Sequence, residues 1–92
     1  MKHQHHFESV NVWREAAQTK ALIADLDRIV QILNVDIATE EERTGMFDRS
    51  RPEYPVLAMA LAARRDNLLD TIAALEQRLA STRKLGSGQV AI

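Results

Sequence analysis

The sequence predicts an all-α protein: an antiparallel two-helix hairpin that pairs with a second copy into a four-helix bundle. Three observations carry this expectation. Two long stretches place apolar residues three and four apart, the period of one helix face. One segment with two prolines, "GMFDRSRPEYP", separates them, and proline does not fit a helix interior. The apolar face of the first stretch is wider than one neighbouring helix can cover.

The first helix is expected over about 12–44, after a flexible N-terminal segment, 1–11. Leu22, Leu26, Ile29 and Leu33 are spaced four, three and four apart, and Ile23, Val30 and Ile37 flank them at intervals of seven. Together they occupy roughly a third of the helix circumference. The stretch "DIATEEERTG" contains Thr39 and Glu42 at capping-box spacing, which allows a new helix start. Nothing before Gly45 breaks the helix, however, and glycine commonly follows a helix end. One helix running to Thr44, with room for a bend over 34–39, is the favoured reading.

A loop is expected over about 45–52 and a second helix over about 53–84, since Pro52 and Pro55 both suit a first helical turn. This helix is rich in alanine and leucine, strong helix formers. Its stripe is Leu61, Leu68, Ile72, Leu75 and Leu79. Arg78, Arg83 and Lys84 lie near its end, where cations complement the helix dipole. Gly86 and Gly88 are expected to end it, leaving a flexible tail over 85–92. A short connection between two helices of similar length favours an antiparallel hairpin.

Composition limits the functional classes. There is no cysteine, which excludes disulfides, thiolate catalysis and zinc–thiolate sites. No apolar run approaches the ~20 residues of a membrane span, and "MKHQHHFESV" lacks the apolar core of a signal peptide, so the expectation is a cytoplasmic chain without membrane contact. Net charge is −1. Residues 1–47 carry five Lys/Arg against eight Asp/Glu, and residues 48–92 carry seven against five. No uninterrupted basic face results, which argues against nucleic acid as a partner.

Arg65 occupies the place in the second stripe where an apolar residue is expected. With the turn near residue 49 it lies across from Leu33 and Asn34, and its side chain leans toward Asp36 and Glu40. A seam ion pair between Arg65 and Asp36 or Glu40 is the favoured reading, a polar contact of the kind that sets register in coiled coils. The competing reading is an anion-binding arginine in an internal pocket. Trp13 falls about 180° around the helix from Leu22 and offers a surface for a second subunit or another protein. Met46, Phe47 and Tyr54 are expected to plug the loop end.

His3, His5 and His6 are metal-capable side chains with no fourth ligand nearby, so no metal site is expected. "EEER" points its consecutive carboxylates in different directions, and no phosphate loop, nucleophile–base spacing or H-E-x-x-H is present. No cofactor and no catalytic activity are expected. In size and layout the chain resembles the small all-helical chorismate mutases, which hold a dicarboxylate with interior arginines and a lysine. That resemblance is architectural and has no motif behind it: Arg65 alone is placed inside, while Arg14 and Arg28 fall off the stripe. The expected function is a non-catalytic structural or protein-interaction module acting as a homodimer. Assembly is assigned to Leu22, Leu26, Ile29, Leu33, Leu61, Leu68, Ile72, Leu75 and Leu79. The alternative is a small enzyme or anion binder built around Arg65.

Overall fold

The computed structural model describes the backbone of residues 2–90 and the side chains of residues 10–82. Two helices make up the fold, α1 over Lys2–Thr44 and α2 over Val56–Val90, with no strand among the described residues. They pack antiparallel as a hairpin measuring 65 × 19 × 14 Å. The radius of gyration is 20.0 Å, against about 12 Å for a compact domain of this length. The molecule is a rod two helices wide.

α1 is one continuous helix through 34–39. Thr39 forms no cap; its hydroxyl donates instead to the Val35 carbonyl at 2.9 Å. The helix begins at Lys2, well before the expected start near Val12, and no proline or glycine lies between residues 2 and 44 to interrupt it. It ends as expected. Gly45 adopts φ +71° and its N–H donates to the Glu41 carbonyl at 2.8 Å, the left-handed cap that favours glycine.

The second helix differs from expectation at both ends. It starts at Val56 rather than near Glu53. Pro55 disfavours helical backbone at Tyr54 before it, so residues 48–54 form two successive turns, with Arg51 N–H on the Asp48 carbonyl and Tyr54 N–H on the Arg51 carbonyl. The Pro55 carbonyl then accepts the first helical bond, from Met59 N–H at 3.0 Å. At the other end the helix runs on to Val90 through Gly86 and Gly88. Glycine costs a helix about 1 kcal/mol relative to alanine but does not forbid it.

No helix among the described residues is long and apolar enough to cross a membrane. The side chains of His3, His5 and His6 lie outside the described residues. Among those described, no group of three metal-capable side chains gathers.

Candidate interaction surface

The seam between the helices is built by residues alternating three and four apart. On α1 these are Ala16, Thr19, Ile23, Leu26, Val30, Leu33, Ile37, Glu40 and Thr44, none of them exposed. On α2 they are Ala58, Leu61, Arg65, Leu68, Ile72, Leu75, Leu79 and Thr82. The second stripe thus meets α1 as expected. Of the broad α1 face, the Ile23–Val30–Ile37 side is the one that meets α2. Val30, Leu33 and Ile37 are buried, whereas Leu22 and Ile29 remain exposed. One heptad onward the Leu22–Ile29 row meets Asp36 and Arg43, while the Ile23–Val30–Ile37 row continues toward the apolar loop end. Packing on the second row buries apolar groups along more of the hairpin.

The loop end holds the tightest packing. Tyr54 is 3% exposed and Ala58 fully buried, with Ala62 beside them. The Tyr54 hydroxyl donates to Glu41 Oε2 at 3.0 Å, so this ring closes the end of the core. Met46 is half-buried, but Phe47 is 63% exposed and takes no part in the plug. Asp48 organises the turn by accepting from Ser50 N–H and Oγ at 3.0 and 2.6 Å. Those two bonds hold its carboxyl below the usual aspartate range, the hydroxyl contributing most.

Arg65 sits in the seam at the expected register, its side chain 19% exposed. Its Nη1 donates to Asn34 Oδ1 at 3.2 Å, and Nε and Nη2 donate to Asp66 Oδ1 at 3.2 and 3.1 Å. The expected pair with Asp36 or Glu40 is not formed. Glu40, buried in the seam, is held from its own helix by Arg43, with Nε on Oε2 at 3.1 Å and Nη2 on Oε1 at 2.5 Å. The side-chain bond from Arg43 is the main reason the Glu40 carboxyl sits below its usual range. A residue three positions away on the same helix is already in reach, and Arg65 likewise turns to its own neighbour.

The hairpin therefore has two broad faces. Glu15, Gln18 and Leu22 share a groove with Arg78, and steps of seven along each helix keep to that face. It accordingly carries Ile29, Asp36 and Arg43 after Leu22, Asp25 and Ile32 after Gln18, and Arg64 before Arg78. The opposite face is marked by the Tyr54–Glu41 and Arg65–Asn34 bonds. By the same steps it carries Trp13, Lys20 and Asp27 on α1, and Met59, Asp66, Leu69 and Glu76 on α2. Both faces expose large apolar groups: Leu22, Ile29 and Ile32 at 46%, 37% and 59% on the first, and Trp13, Met59 and Leu69 on the second.

A groove of about 370 Å³ opens on the first face where the seam residues Ala16, Thr19 and Thr82 are too small to fill the space between the helices. A smaller one, about 220 Å³, lies beside Tyr54 and is lined by Arg49, Met59, Ala62, Ala63 and Asp66. Arg65 lines neither. Sequence reasoning missed Ala58, which continues the α2 stripe back toward the loop, and Ala62, which flanks that stripe beside Tyr54; their small side chains give a weak apolar signal. No family model matches the chain, and no curated protein or solved structure matches it.

Proposed function

We propose that the chain is a cytoplasmic, non-catalytic structural or protein-interaction module that acts by self-association. In its simplest form it is a homodimer in which two hairpins make a four-helix bundle. The observation that carries this reading is the row of large apolar side chains left open on α1 by a rod two helices wide. Leu22, Ile29 and Ile32 are exposed on one face although their helix is already packed along its seam. Covering an apolar row of this kind contributes about 25 cal/mol for every Å² removed from water. The three- and four-residue alternation of the seam fits an antiparallel coiled coil, in which Arg65 serves register.

The alternative, an anion site around Arg65, has less support, because the guanidinium is turned to Asn34 and Asp66 rather than into either concavity. Sedimentation equilibrium at micromolar concentration tests self-association. The expected result is at least twice the 10.4 kDa chain mass. A monomer mass with the helical content intact overturns the reading.

A further inference from the structure

Both faces of the hairpin are apolar enough to associate, and charge distinguishes them. In a two-fold dimer each face meets its own copy, so a face with excess charge repels itself. The Trp13 side carries Lys20 against Asp27, Glu41, Asp66 and Glu76. Even with Arg49, which lines a concavity with Met59 and Asp66, and the Arg65 guanidinium, which emerges beside Asn34 and Asp66, the four acids outnumber the three bases among the described residues there. The Leu22 side is balanced, with Glu15, Asp25 and Asp36 against Arg43, Arg64 and Arg78. On the balanced face net charge differs by helix: α1 carries three acids against Arg43, a net −2, and α2 carries Arg64 and Arg78, a net +2.

That difference bears on how a second copy sits. A two-fold axis along the length of the hairpin lays α1 of one copy on α2 of the other, with both loops at one end. An axis across the length lays α1 on α1 and α2 on α2, with the loops at opposite ends, and so opposes helix faces of like net charge. We propose that two hairpins stack through the Leu22–Ile29–Ile32 face with their loops at the same end, α1 of each copy lying on α2 of the other. The proposal rests on the self-association reading and adds face and direction to it.

Register supports the pairing. The Arg65–Asn34 contact sets residues whose numbers sum to about 99 level with each other across the seam. Rotation about a lengthwise axis keeps those levels, so Asp36 meets Arg64 of the second copy. Arg78 of the second copy falls level with Leu22, one turn from Asp25. The arginine stems cover the Leu22–Ile29 row while their heads reach the acids. The hairpin is 65 Å long and 19 Å wide, which leaves room on one face for the ~800 Å² per partner of a standard stable interface. Charge of this kind fixes orientation more than it adds affinity.

The chain has no cysteine, so Ser50→Cys places a single nitroxide on the exposed turn of the loop. Pulsed dipolar spectroscopy then reads the distance between the two loops of a dimer. With helix layers 8–10 Å apart, loops at one end give a distance on the order of 20–30 Å. A dimer with a distance near the hairpin's 65 Å length overturns the proposed direction and leaves self-association standing. A monomer without dipolar signal overturns both. As a second arm, Asp36→Arg should weaken the dimer at least severalfold, and adding Arg64→Asp should restore it. A dimer indifferent to Asp36→Arg overturns the choice of face even if the loops are close.

Discussion

The two halves of the hairpin use the same residue spacing and pack differently. Toward the loop, Val30, Leu33, Ile37, Tyr54, Ala58 and Ala62 are buried, with Leu61, Arg65 and Leu68 half-buried among them. Toward the open end Ile72 is the last buried residue, and the seam continues as Ala16, Thr19, Ile23 and Leu26 against Leu75, Leu79 and Thr82, all only half-buried. The spacing brings helices together, but side-chain volume decides whether the space between them closes. Small and polar residues at the open end leave the groove of about 370 Å³. The loop half holds most of the buried core. Exposed apolar groups lie along both halves, with Leu22 toward the open end and Ile29 and Ile32 beside the buried Val30 and Leu33.

The largest effect expected from this comparison comes from truncating the loop half. Leu33→Ala should cost about 2–5 kcal/mol, the range for a buried leucine, while Leu79→Ala, starting from a half-buried position, should cost less than half as much. Denaturant unfolding of both variants checks this. Equal losses would mean that the two halves are one core.

Next in size is the closure of the loop end. Tyr54→Phe keeps the ring and removes the hydroxyl that Glu41 accepts. A loss of about 1.5 kcal/mol is expected, because the carboxylate loses a partner and the bond is charge-assisted. Thermal unfolding of this variant beside Glu41→Gln measures it. No loss in Tyr54→Phe would make the ring mere filler.

Smaller again is Arg65. Its acid neighbour Asp66 has a side chain 56% exposed, so removing the arginine leaves that carboxylate in water rather than stranded. Arg65→Leu is therefore expected to leave stability unchanged or raise it by about 1 kcal/mol, with Asn34 losing a weak bond. A loss of several kcal/mol would show that the charge belongs to the core after all.

The smallest expected effect is on pH dependence. The folded-state pKa of Glu40 is lowered, first by the Arg43 hydrogen bond. The unfolded chain therefore takes up this proton first on acidification. The pair's contribution is present above the ordinary glutamate range, about pH 4.3, and is lost as pH falls through the lowered folded value. Arg43→Ala should flatten the acid limb of the stability curve, which thermal melts between neutral pH and pH 3 would record. An unchanged limb would show that the bond carries no linkage.

How much of this was legible in the sequence follows from what each signal measures. Helical period and the proline-containing segment gave two helices and one loop, and the position of the turn gave the level of Arg65 opposite Asn34. The rotation of α1 was not legible. Leu22, Ile23, Ile29 and Val30 are all apolar, and composition does not say which pair faces α2. That is settled by what each row meets one heptad later, Asp36 and Arg43 in one case and Ile37 in the other. The partner of Arg65 was misjudged for a related reason: neighbours on the same helix, Asp66 for Arg65 and Arg43 for Glu40, outcompete cross-helix pairs that need two long side chains to meet. The start of α2 was readable from Tyr54 preceding Pro55, a stronger restriction than the tolerance of proline in a first turn.

The face bearing Leu22, Ile29 and Ile32 is the one proposed to be covered by a second copy. The direct test is sedimentation equilibrium of Ile32→Asp beside Leu69→Asp and the unaltered chain, at one micromolar concentration, with helicity followed by circular dichroism. Ile32 and Leu69 are both exposed in the hairpin, on opposite faces, so neither charge should unfold it. The account predicts a monomer of 10.4 kDa for Ile32→Asp and a dimer for both Leu69→Asp and the unaltered chain. A dimer that survives Ile32→Asp, or one lost only in Leu69→Asp, would contradict it.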